Sequence, residues 1–243
     1  AALRRVIDAV NQAGQHAVIY GERGVGKTSL ANVIVDFVRP FMSNTILCIK
    51  YNCDRSTTYH AVWNSFFTQL GMPERPDFER IVPSKVVASI PKDRRIIFIV
   101  DEFDRVSDPD VDSLMADTIK TLSDFNIDIT LVIVGVADDV DDLIFEHESI
   151  ERCLKQIQLP RMNMSELSDI VALGMRSAGM KVSEDAITHI CTLSMGLPHY
   201  THALALEAGR AAIDRQSIEV ELRDAEAAVQ SMVRDPQQPV YKA

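Results

Sequence analysis

The chain of 243 residues is 47 % apolar and 25 % charged, the proportions of a protein with a packed core, which excludes a disordered or fibrous chain. Its 25 Lys and Arg against 35 Asp and Glu leave a net charge of −10, which favours solubility and weighs against a general nucleic-acid binder, though a local basic patch stays possible.

The first residues, Ala1-Ala2-Leu3-Arg4-Arg5, read as mid-helix with no initiator Met, so the chain is expected to be part of something larger. Short apolar β-branched runs then alternate with longer segments of helical period, the pattern of βαβ units on a parallel sheet. Strands are predicted at Ala17 to Tyr20, Ile46 to Tyr51, Ile96 to Val100, Ile129 to Gly135 and Gln156 to Leu159. Helices are predicted at Lys27 to Val38, Thr57 to Leu70, Val111 to Phe125 and Asp141 to Arg152. The strands lack polar alternation, as expected where helices cover both faces. Leu30, Val33, Ile34 and Phe37 are predicted to form the buried face of the first helix, and Trp63, Phe66, Phe67 and Leu70 to be core.

After Pro160 only helical patterns follow. Ser165 or Asn163 caps a helix carrying Leu167, Ile170 and Val171, and Gly179 ends it. Ser183 opens a second helix closed by Gly196, Pro198 begins a third that runs to Asp214, and Ala225, Ala228, Val229 and Met232 share one face of a fourth. The expected organisation is an α/β domain over residues 1–160, a helical domain over 161–235 and a tail over 236–243. The cysteines Cys48, Cys53, Cys153 and Cys191 form no CxxC pair and are sparse for a disulfide scaffold, so a reducing cytoplasm is the expected setting. The apolar runs are strand-sized and no signal peptide is evident, so no membrane partner is expected.

Gly21-Glu22-Arg23-Gly24-Val25-Gly26-Lys27-Thr28 matches G-x-x-x-x-G-K-[ST] in full, between an apolar strand and an amphipathic helix. Glycines let backbone N–H groups turn inward around a polyphosphate, Lys27 supplies charge to the β and γ phosphates, and Thr28 offers a hydroxyl to Mg2+. The helix that follows points its N-terminus at the same anion. Arg94-Arg95-Ile96-Ile97-Phe98-Ile99-Val100-Asp101-Glu102 is a buried strand ending in two carboxylates. Beside a phosphate loop, Asp101 is expected to hold Mg2+ through water and Glu102 to orient and polarise the attacking water. Asp104 and Arg105 are expected to be solvated turn residues. No guanine-reading motif follows, and the acidic pair favours hydrolysis over phosphoryl transfer to a second substrate.

These residues, with the further strand ending Gly135-Val136-Ala137-Asp138 and the four-helix tail, make the chain resemble an AAA+ ATPase of the origin-recognition type and the similar STAND-like ATPases. The resemblance implies a P-loop three-layer parallel sheet with a helical lid, ATP and Mg2+ as ligands, and Walker A and Walker B motifs at Gly21 to Thr28 and Ile97 to Glu102. It implies a nucleotide-binding set of Gly21, Glu22, Arg23, Gly24, Val25, Gly26, Lys27, Thr28 and Ser29, joined by Pro198 and His199 from the lid. Asp138 falls at the sensor 1 position, and Arg152 at the arginine that acts on a neighbouring subunit's nucleotide. Against these stand plainer readings: a strand-end carboxylate for Asp138, a surface arginine for Arg152, a locally bonded lid residue for His199. Two departures bear on turnover. An ionised Asp138 cannot donate a hydrogen bond as the usual sensor 1 residue does, and Gly196-Leu197-Pro198-His199-Tyr200 replaces the sensor 2 arginine. Arg161 is a weaker nucleotide-site candidate, and His147, His189 and His202 show no metal-ligand spacing. The expected function is an ATPase coupling nucleotide state to lid position and to assembly through the Arg152 face, with another copy or a partner protein. The alternatives are a slow regulatory switch and, less favoured by the charge, a DNA-bound loader.

Overall fold

A computed structural model of the chain describes residues 2–38, 46–72, 83–91, 95–137 and 150–234. It divides into two compact units, one of Ala1–Glu22 with Lys27–Leu159 and the other of Arg23–Gly26 with Pro160–Ala243.

The first unit is built on strands β1 (His16–Tyr20), β2 (Ile46–Asn52), β3 (Arg95–Asp101), β4 (Ile129–Val134) and β5 (Leu154–Gln158). They pair in parallel in the order β2-β3-β4-β1-β5. Each predicted strand is present, with small shifts at its ends. Helices α1 (Ala2–Val10), α2 (Lys27–Val38), α3 (Tyr59–Gln69), α4 (Pro83–Ser89) and α5 (Pro109–Asp124) pack against this sheet. Pleating sends Ile96, Phe98 and Val100 of β3 to one face, into a core with Trp63, Phe66 and Met115, and Ile97 and Ile99 to the other, with Val6, Ile34 and Ile157. That two-sided burial explains why the strand sequences lack alternation.

Two expectations for these helices are corrected. Helix α2 buries Ala31 and Ile34 and partly Leu30 and Val35, whereas Val33 and Phe37 are each 46 % exposed. At 3.6 residues per turn, a stripe centred between Ala31 and Ile34 takes in Leu30 and Val35 and is rotated away from positions 33 and 37. Helix α4 was not anticipated, because its seven residues are too few to display a helical period. Of the predicted helix from Asp141 to Arg152, most lies outside the described residues, and Glu151–Cys153 forms a 3-10 turn.

The second unit contains α6 (Met164–Ser177), α7 (Glu184–Leu193), α8 (Pro198–Asp214) and α9 (Leu222–Arg234) around Leu167, Val171, Ile190, Leu204, Ala208, Ala225 and Met232. Asn163, not Ser165, caps α6, in a reciprocal box with Glu166. Ser183 caps α7 and Pro198 is the first residue of α8. The expectation that only helices follow Pro160 is corrected by a pair of two-residue parallel strands, β6 (Lys181–Val182) and β7 (Glu219–Val220), too short to leave a pattern. Arg215 secures their return, donating to both carboxylate oxygens of the buried Asp224 at 2.8 Å and to the Glu219 carbonyl at 2.6 Å. Those hydrogen bonds hold the Asp224 carboxyl below the usual range. No described helix is long and apolar enough to cross a membrane.

Candidate functional site

The site grows from the carboxyl ends of β1 and β3. As β1 ends, Leu159 returns alongside it and donates its N–H to the Tyr20 carbonyl at 2.8 Å. Gly21 adopts φ 143, and a Cβ placed on it would lie 2.5 Å from the Leu159 carbonyl oxygen. Both the conformation and the close approach require glycine. Gly21→Ala is therefore expected to destabilise the first unit by about 1–2 kcal/mol. The check is a chemical denaturation curve followed by Trp63 fluorescence.

Lys27, the first residue of α2, is 8 % exposed, and its Nζ donates to the Gly21 and Glu22 carbonyls at 2.8 Å each. Burial lowers its pKa, and the charges of Asp104, Asp101 and Glu22 oppose that shift. Thr28 follows and donates its hydroxyl to Asp101 Oδ1 at 3.3 Å, while Ser29 is exposed on the next position of the helix. Arg23, Gly24, Val25 and Gly26 belong to the second unit, where Gly24 and Gly26 take φ 88 and 101. Pro198 is buried there, and the His199 N–H points to the Gly24 carbonyl at 3.4 Å, with the His199 side chain exposed.

Asp101 closes β3 and is 2 % exposed. Its Oδ1 accepts the Glu102 N–H at 2.9 Å as well as the Thr28 hydroxyl. Its Oδ2 faces the Lys50 ammonium at 2.9 Å as an ion pair, yet no donor is aligned on that buried oxygen for a hydrogen bond. A threonine hydroxyl and a carboxylate with an unsatisfied buried oxygen are the donors that a hard cation such as Mg2+ takes. Among the described residues there is no group of three or more His, Cys, Asp and Glu that could hold a metal ion, and His147 lies outside those residues.

Glu102 is left-handed, φ 57 and ψ 35, and opens a 3-10 turn over Phe103–Arg105. Its half-exposed carboxylate accepts from Arg105 at 2.7 Å. Asp104 and Arg105 are exposed in this turn, as expected, and Asp104 Oδ1 in addition accepts the Val136 N–H at 2.8 Å and so ties the turn to the exit of β4. Asp138 lies outside the described residues. Arg152 is 71 % exposed, pairs with Asp124 at 3.1 Å, and lies in the 3-10 turn that leads into β5. Because the strands are parallel, that places it at the amino edge of the sheet, away from the edge bearing Gly21 and Asp101. Arg161 donates to the Met195 carbonyl at 3.2 Å within the second unit. Lys50 was not among the residues singled out from the sequence. Its signal was a lone cation in an apolar strand run, which demands a partner.

A family model described as AAA domain matches residues 10–144, more than half of the chain. Among solved structures, that of the Aeropyrum pernix Orc1 protein in complex with DNA has 18 % identity and a TM-score of 0.72, over 96 % of this chain and 65 % of its own. The Thermotoga maritima RuvB Holliday junction branch migration motor has 14 % identity and a TM-score of 0.65, over 96 % of this chain and 68 % of its own. Drosophila ORC bound to DNA has 15 % identity and a TM-score of 0.65, over 93 % and 57 %. At such identities the likeness is one of fold. No curated protein matches the chain.

Proposed function

The chain belongs to the AAA domain family, and from that membership we propose that it binds ATP with Mg2+ and hydrolyses it, with residues 1–160 as the nucleotide-binding domain and 161–235 as a lid. The observation that carries the reading is the convergence of Lys27, Thr28, Asp101 and Glu102 at the carboxyl ends of two strands. Gly21 through Ser29 take the phosphates. The first N–H groups of α2 lack intrahelical partners and point to that anion. Lys27 exchanges its two carbonyl acceptors for phosphate oxygens. Thr28 and Asp101 hold Mg2+, which when bound neutralises phosphate charge and polarises the bond to be broken. Glu102 orients the attacking water and takes its proton.

Arg152 is proposed to serve a neighbouring copy or partner, since its place at the opposite sheet edge removes it from the nucleotide of its own chain. Asp138 keeps its proposed sensing role, and Pro198 and His199 their proposed part in reading the nucleotide. Coupling of nucleotide state to the lid and to assembly, and residence in the cytoplasm, belong to the same proposal. A slow regulatory switch is the second reading. It is favoured by the Arg105 guanidinium on Glu102 Oε2, which competes with an attacking water for that carboxylate.

Lys27→Ala is expected to weaken ATP and ADP binding about ten- to hundredfold, the loss of charge-assisted hydrogen bonds, measured by titration with a fluorescent nucleotide analogue. Failure of the unmodified chain to bind either nucleotide with Mg2+ present overturns the reading. Given the net charge of −10, duplex DNA is expected to bind no tighter than micromolar at physiological salt.

A further inference from the structure

Lys50 stands in an unusual place for a cation. It lies on β2, an outer strand of the sheet, in register with Ile99 of β3, while Asn52 pairs with Asp101. Its aliphatic stem runs on the sheet face shared with α2, and the ammonium reaches forward to the end of β3. There Nζ sits 2.9 Å from Asp101 Oδ2 and donates to Asn32 Oδ1 of α2 at 2.9 Å. Asp101 is 2 % exposed, and a carboxylate so enclosed is strongly unfavourable without a compensating charge. Lys50 is the cation that the structure places against Asp101 Oδ2. That oxygen has no aligned hydrogen bond, so the contact is one of charge rather than of a saturated donor and acceptor.

A divalent cation brought by the nucleotide would supply the same compensation to the same carboxylate. Two cations at one carboxylate repel each other strongly at such distances. We propose that Lys50 is the tethered counter-ion of Asp101, neutralising it in the nucleotide-free protein, yielding to Mg2+ as Mg2+-nucleotide enters, and so setting the Mg2+ concentration at which the site loads. Asn32, exposed on α2, gives the displaced ammonium a second acceptor close at hand. The inference rests on the nucleotide-site reading above and adds to it a residue that tunes the metal.

The test is a Mg2+ titration of ADP binding at fixed pH, with EDTA-treated ADP as the metal-free reference, on the unmodified chain, Lys50→Met, Lys50→Gln and Lys50→Arg. The neutral variants are expected to lower the half-saturating Mg2+ about tenfold without changing metal-free ADP affinity, and Lys50→Arg to stay near the unmodified value. An unchanged or raised Mg2+ midpoint in the neutral variants overturns the proposal while leaving the nucleotide site standing. Absence of ADP binding with and without Mg2+ in every protein overturns the nucleotide reading and this inference with it. Without nucleotide, Lys50→Met is also expected to lower the urea midpoint, and adding Asp101→Asn to restore it, since both charges are then gone. No recovery in that double variant overturns the pairing.

Discussion

Replacing Glu102 with glutamine is expected to cut ATP turnover by about 10²–10³-fold while leaving nucleotide affinity within about twofold. The amide keeps the size and shape of the side chain and still accepts a hydrogen bond from Arg105. What it loses is the capacity to take a proton from water. Lys27 and Thr28, the groups proposed to meet the phosphates, make their contacts with Gly21, Glu22 and Asp101 and are untouched by the change. The backbone argues the same way. A non-glycine residue in the left-handed region costs on the order of 1 kcal/mol or more, and Glu102 holds φ 57 between Asp101 and a turn fixed by Asp104. Phosphate release measured beside a nucleotide-binding titration separates the two effects. Hydrolysis undiminished in Glu102→Gln removes Glu102 from the chemistry and leaves the rest of the site to be reassigned.

The parts of this site that follow one another along the chain were legible in the sequence, and the parts that meet across the sheet were not. Gly21 through Thr28 announce a phosphate loop because glycine spacing and the following Lys and Thr serve one local geometry. Asp101 and Glu102 are conspicuous as charges at the end of an unbroken apolar run. Each of the five strands could be placed because a buried parallel strand leaves a short β-branched run wherever it occurs. Lys50 has no such local signature, and Asp104, though it follows Asp101 and Glu102 closely, does not show its partner in the sequence. Lys50 gains its meaning only when β2 lies beside β3, and Asp104 only when the turn after β3 meets the exit of β4 at Val136. Strands β6 and β7 escaped for a related reason, since two residues each carry no alternation and Lys181–Val182 meets Glu219–Val220 only in the folded unit. The side of α2 that is buried was misjudged at Val33 and Phe37 because the sequence shows apolar residues around much of that helix and the packing partner selects among them.

Lowering the pH from 7.5 to 4.5 is expected to remove about 2–3 kcal/mol of stability from the first unit through one residue, His16. It is 0 % exposed at the start of β1, where Nδ1 accepts the Leu131 N–H at 3.0 Å. The proton of the neutral ring therefore sits on Nε2, an atom with no hydrogen-bond partner. Adding a second proton would place it on Nδ1, against the donor already pointing there, and would bury a charge. Burial accordingly lowers the His16 pKa from 6.5 to about 4. Above pH 6.5 the ring is neutral folded and unfolded, and it contributes no pH dependence. Between 6.5 and about 4 the unfolded chain binds a proton that the folded one refuses, so stability falls as pH falls, and below about 4 the loss levels off. Asp112 works against this, since burial and the Asp108 charge raise its pKa from 3.8 to about 6, so folding takes up a proton between those two values and offsets much of the His16 loss below about pH 6. The comparison must therefore be made against a variant that changes His16 alone. In His16→Asn the amide oxygen takes over from Nδ1 as acceptor for Leu131 and no longer titrates. Urea unfolding followed at Trp63, the single tryptophan and part of the core of the same unit, is expected to show the difference between the two proteins growing as pH drops from 6.5 toward 4. Parallel pH profiles for the two would mean that His16 is protonated as readily in the folded chain as in the unfolded one.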